Sequence, residues 1–146
     1  MLFDHINLVV WDMDTARAFY GSVLGLRETF NRTLEGPWIE AVSGVPGAVA
    51  HCVFFEAQSG EVRLELLQYL QPQDEFGPET RPHAPGFRHI AFNVEDIDAW
   101  HNTLTAGGVT FVSPPVLVPF SVDGRTKRLC YFRDPEGNIL ELAEYR

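Results

Sequence analysis

Basic charge is scarce in this chain. Eleven Lys and Arg stand against 20 Asp and Glu, a net charge of −9 at pH 7 over 146 residues. Nucleic-acid binders normally carry a basic footprint, so no nucleic-acid partner is expected. Long apolar runs are also missing. The stretch from Leu8 to Trp11 is among the longest and falls far short of a bilayer span, so no membrane segment is expected. No charged segment leads into an apolar one as in a secretory signal, which makes a cytoplasmic location the expectation. Only two cysteines occur, Cys52 and Cys130, each inside an apolar run. They read as small buried hydrophobes in a reducing compartment, not as a disulfide framework. What is present is a globular composition, 45% hydrophobic and 12% aromatic, in a length suited to one compact unit or two small modules.

The chain repeats itself. The run from His5 to Asp14 (HINLVVWDMD) aligns with the run from His89 to Asp98 (HIAFNVEDID), and Leu64-Glu65-Leu66 is echoed by Leu140-Glu141-Leu142. The first pair lies 84 residues apart and the second 76, a difference that loop length absorbs. Two copies of one module follow, residues 1–70 and 87–146, joined by a linker over 71–86 that holds four prolines and two glycines. Each copy opens on a short apolar strand, over 3–11 and 87–94, followed by an amphipathic helix. In the first helix Ala16, Phe19, Tyr20, Val23 and Leu24 form the apolar stripe, with Asp14 as cap and Gly25 as stop. In the second, Ile97, Trp100 and Leu104 form it, with Asp96 or Asp98 as cap and Gly107-Gly108 as stop. Three strands close each copy, near 27–33, 47–56 and 61–69, and near 109–113, 126–133 and 138–145. Asp134 to Asn138 marks a turn, and the proline-bearing stretch 113–124 reads as a loop. The fold class is therefore α+β, built from two βαβββ modules.

Strand alternation singles out four residues. Ile6, Leu8 and Val10 share one face of the first strand, and Ile90, Phe92 and Val94 share one face of its counterpart. The helix should cover these apolar faces, which leaves His5 and His89 on the other side. Glu65 and Glu141 likewise oppose their flanking leucines. Each module thus sends one imidazole and one carboxylate to its inner face. Two imidazoles and two carboxylates suit a divalent cation such as Zn, Fe, Ni, Co or Mn. His83 in the linker reads as solvated, His101 as helix packing, and Arg125, Lys127 and Arg128 as solvated charges. A secondary reading lets the Arg125–Arg128 stretch meet an anionic substrate tail.

These residues resemble the vicinal oxygen chelate superfamily, which includes glyoxalase I, methylmalonyl-CoA epimerase, extradiol dioxygenases and bleomycin-resistance proteins. The carriers are the segment from His5 to Val10, Phe19-Tyr20 with Leu24-Gly25, the segment from Leu64 to Leu67, the segment from Gly86 to Phe92, and the segment from Tyr131 to Leu142. The resemblance covers essentially the whole chain and is closest in look to the epimerase and glyoxalase I branch. It implies an open barrel-like sheet around a metal held by His5, Glu65, His89 and Glu141. It also implies a metal-dependent isomerase or lyase that removes a proton next to a carbonyl, with the ion stabilising the enediolate. Glu141 is then the base, and His51 a second candidate, because it sits on the strand where the epimerases carry a catalytic Glu. The substrate implied is a small carbonyl compound, anionic or CoA- or thiol-linked, and the assembly a homodimer. An extradiol-type Fe(II) dioxygenase and a non-catalytic drug-binding protein are the alternatives.

Overall fold

A computed structural model describes residues 4–58, 62–73, 82 and 85–146. The chain divides into two compact units, Met1–Phe76 and Gly77–Arg146. Most of the expected linker, and His83 within it, lies outside the described residues. The first unit runs β1 (His5–Val9), α1 (Met13–Arg17) continued by a π-helical turn (Ala18–Val23), β2 (Arg27–Leu34), α2 (Pro37–Ser43), β3 (Val49–Glu56) and β4 (Arg63–Gln71). The second runs β5 (His89–Asn93), α3 (Ile97–Ala106), β6 (Val116–Leu117), β7 (Lys127–Arg133) and β8 (Ile139–Tyr145). Each unit is one four-stranded mixed sheet, ordered β1-β4-β3-β2 and β5-β8-β7-β6. The opening strand pairs parallel with the closing one, and the other pairings are antiparallel. The helix and two strands that lie between them in sequence make this possible, because parallel neighbours cannot be joined by a tight turn.

The helix starts are built identically. Asp12 caps α1, accepting from the Asp14 and Thr15 amides at 3.0 and 3.2 Å, and Asp96 caps α3, accepting from Ala99 N at 2.9 Å. Asp14, the expected first cap, already lies inside the first turn. Asp12 is extended and can turn its carboxylate onto the free amides. A long polar side chain three residues beyond the repeated Glu assists in each unit. Gln68 Oε1 accepts from Met13 N at 3.4 Å, and Glu144 Oε1 from Ile97 N at 3.2 Å.

One face of each sheet packs under the helix. Val53, Phe55, Leu64 and Leu66 are buried in the first unit, with Ala16, Phe19, Tyr20 and Leu24 buried on the helical side. Val23, expected in that stripe, is exposed, because the π-helical turn adds a residue and rotates it away. In the second unit Ile97, Leu104, Cys130, Phe132, Leu140 and Leu142 are buried, and His101 packs on Phe111, which stacks on Phe132 at 5.3 Å. Phe132→Ala is expected to cost about 3–5 kcal/mol, the usual result of emptying a closed aromatic site. A urea melt that moves by less than about 1 kcal/mol would contradict this packing.

Two segments differ from the sequence expectation. The stretch near 109–113 forms only an isolated bridge, Phe111 to Phe132, and the strand falls at Val116–Leu117 inside the expected loop. Pro114 and Pro115 have no amide hydrogens to lend a ladder, so pairing resumes only after them. The second difference is α2, which starts on Pro37 and ends at Gly44 in the left-handed region, a pairing of helix signals that marks its two ends.

Candidate metal centre

Cross-strand register decides which side chains share a face. Phe54 pairs with Glu65 and Tyr131 with Glu141, so each carboxylate stands beside an aromatic ring on the sheet face away from the helix. β1 lies next to β4 and brings His5 to the same place. His5 Nε2 is 3.4 Å from Glu65 Oε2, and the ring meets Phe54 edge-on at 5.5 Å. The second unit repeats this. His89 Nε2 is 3.3 Å from Glu141 Oε2, and the ring lies 5.1 Å from that of Tyr131. Each unit therefore brings its own His and Glu together. Among the described residues no three or more His, Cys, Asp or Glu are placed so as to hold one ion together, so each unit supplies a pair.

The pairs are supported differently. Asp4 accepts from His5 Nδ1 at 2.7 Å and is itself gripped by Arg63 Nη2 at 2.6 and 2.7 Å. The imidazole, then Arg63, hold the Asp4 carboxyl below its usual range. Glu65 rests on neutral donors, Asn7 Nδ2 at 2.8 Å from Oε2 and the Cys52 thiol at 3.3 Å from Oε1. Burial, then Glu65, push that thiol up to about 12, so it stays protonated and can donate. Around it Ala50, Cys52 and Leu67 form a buried apolar floor, with Leu34, Phe54 and Tyr69 packed against it. Glu141 is more enclosed, 5% exposed against 16% for Glu65, and faces a cation. Lys127 Nζ is 3.0 Å from Oε1, an ion pair without hydrogen-bond alignment. Burial works against the Lys127 charge, but Glu141 and Tyr145 outweigh it and raise its pKa.

The donors present suit a divalent cation. Two ligands held cis at ~2.1 Å from one ion stand ~3.0 Å apart. The His–Glu separations of 3.4 and 3.3 Å are close to that, and imidazole nitrogen with carboxylate oxygen is a common donor set for such ions.

His51 lies elsewhere. It pairs with Gln68 and shares its face with Val53 and Phe55, the side covered by the helix, and its Nε2 is 2.8 Å from Asn31 Oδ1. This register turns His51, the second candidate base, away from Glu65. Lys127, read from the sequence as a solvated charge or, secondarily, as part of a stretch meeting an anionic tail, stands beside Glu141, a contact that reading missed. Its parity with Tyr131 was the available signal.

The two units define a protein of the paired βαβββ class with one His–Glu pair per unit. The profile of the Glyoxalase/Bleomycin resistance protein/Dioxygenase superfamily matches residues 2–142, and the chain belongs to this superfamily. It is similar to the uncharacterized protein YaeR of Escherichia coli K12, at 32% identity over 96% of this chain and 93% of that protein. It is also similar to the lactoylglutathione lyase of Haemophilus influenzae, at 29% identity over 96% and 90%. A crystal structure of a glyoxalase family protein from Bacillus cereus superposes with a TM-score of 0.86 at 30% identity, covering 99% of this chain and 94% of that one. No helix of the described residues is long and apolar enough to cross a membrane.

Proposed function

We propose that His5, Glu65, His89 and Glu141 are ligands to a divalent cation, and that the protein is an isomerase or lyase. The observation that carries this reading is the duplicated His–Glu pair, each within 3.4 Å and each on the helix-free face. Bound there, a divalent cation supplies Lewis-acid stabilisation of negative charge developing on a carbonyl oxygen. The chain's own contributions are a base and a dry floor. Glu141 is the base: its carboxylate is buried, and the oxygen that would otherwise hold the ion can take the proton. The apolar row of Ala50, Cys52 and Leu67 keeps water from the reacting carbon. His51 has no part in proton transfer in this reading, since it lies on the face of the sheet opposite Glu65.

The lactoylglutathione lyase named among the relatives suggests the probe. Protein loaded with Zn, Ni, Co or Mn is incubated in deuterated water with S-lactoylglutathione and, separately, with hydroxyacetone. Exchange of the C–H next to the carbonyl should depend on the added ion and proceed equally with and without air. No exchange with any of the ions overturns the proposal. A ring-opened product formed from catechol by the Fe(II)-loaded protein, and only in air, favours the dioxygenase alternative.

A further inference from the structure

We propose that Lys127 anchors an anionic group of the substrate, so that this site takes small carboxylates whose acid group lies beside their chelating oxygen. The inference rests on the metal-site reading above and adds the substrate class. Lys127 opens the β7 row that continues through Leu129 to Tyr131, the partner of Glu141. Its ammonium is 18% exposed, 3.0 Å from Glu141 Oε1 and 5.3 Å from the centre of the Tyr145 ring. Arg125 lies over the same ring at 4.7 Å. Two cations thus share the Tyr145 ring, one of them beside a candidate ligand, in a chain whose net charge is −9.

The repeat shows that holding the carboxylate does not itself require this charge. The position matching Lys127 in the first unit is Ala50, and there Glu65 is held by the neutral Asn7 amide and Cys52 thiol. Arg128, one residue on, gives no such surplus, because Asp98 binds it through two hydrogen bonds of 2.6 and 2.8 Å. Charge balance then points to the substrate. Without a cation, Lys127 and Glu141 neutralise each other. With a divalent cation held by two carboxylates, that centre is neutral and Lys127 is one positive charge left over in a half-buried place. Leaving such a charge uncompensated is costly, and a carboxylate arriving with the substrate offsets it. Lys127 also keeps a donor for a ligand, since an ammonium carries three and Glu141 and Tyr145 engage two of them.

The test uses the full chain loaded with Mn(II). Metal uptake is measured first, then calorimetric titration with pyruvate and with butane-2,3-dione, its neutral near-isostere. Lys127→Met should weaken pyruvate binding by about tenfold or more, as expected for losing a charge-assisted contact. Its dione affinity should stay within about twofold and its Mn(II) affinity should be equal or tighter, since a like charge has gone. Lys127→Arg should restore most of the pyruvate affinity. Equal losses for both ligands, or no loss for pyruvate, overturn the proposal. If Lys127→Met fails to fold by circular dichroism, Lys127→Gln is put through the same titrations. If the unmodified chain takes up no divalent cation, the metal-site reading itself fails, and that is seen before any pyruvate is added.

Discussion

Glu141→Ala is expected to lower metal-dependent proton exchange by at least about 10²–10⁴-fold, the contribution of a positioned base, and to lower metal affinity as well. One residue carries both losses because its two oxygens do different things. Oε2 faces His89 Nε2 at 3.3 Å and is the proposed metal ligand, while Oε1 faces Lys127 at 3.0 Å. Alanine removes donor, base and the Lys127 counter-charge together. Glu141→Gln separates these effects. Its amide oxygen can still face Lys127, so the fold is kept, but it cannot take up a proton. Exchange should therefore fall as far as in the alanine variant, with a smaller loss of metal. Breaking a fully buried ion pair costs about 3–5 kcal/mol, but Lys127 keeps some access to water and can turn outward. The alanine variant should thus lose less stability than that and stay folded during the assay. Normal exchange in either variant would move the base to another residue.

Much of the candidate site is legible in the sequence repeat. Identical residues at matched offsets placed His5 with His89 and Glu65 with Glu141, and alternation put each Glu opposite its flanking leucines. The structure pairs His and Glu within each unit on that basis. Alternation says which residues share a face, but not which face meets the helix. On β3 both rows are largely apolar, Val49, Val53 and Phe55 on one side and Ala50, Cys52 and Phe54 on the other, so sequence alone could not orient His51. The β3–β4 register resolves it, since Phe54 faces Glu65 and His51 faces Gln68. The helix caps were a different case. Asp12 and Asp96 are in phase across the repeat, as are Gln68 and Glu144, so these supports were present in the pattern although Asp14 had seemed the better start. The π-helical turn at Ala18–Val23 and the displacement of β6 beyond Pro115 depend on local backbone geometry, which hydrophobic periodicity does not record.

Asp4→Ala is expected to lower divalent-metal affinity by about 10–100-fold, the usual cost of removing the partner that orients an imidazole ligand. Asp4 Oδ2 is 2.7 Å from His5 Nδ1, and Arg63 fixes the carboxylate from the other side. A proton held on Nδ1 leaves the lone pair on Nε2, the atom that faces Glu65. Without Asp4 the ring can exchange tautomers and rotate, and each wrong state subtracts from the fraction able to bind. Asp4 is itself 69% exposed, so the substitution leaves no cavity and should hardly change the urea midpoint. Asp4→Asn should fall between the alanine variant and the unmodified chain, because an amide oxygen still accepts from Nδ1 but with less charge. The second unit provides the control. Arg88 occupies the matching position before His89 and cannot accept from an imidazole N–H, so Arg88→Ala should leave affinity within about twofold. Competition with a chelator of known affinity at constant pH reads all three variants. Equal affinities for Asp4→Ala and the unmodified chain would show that His5 is held by the sheet and Phe54 alone.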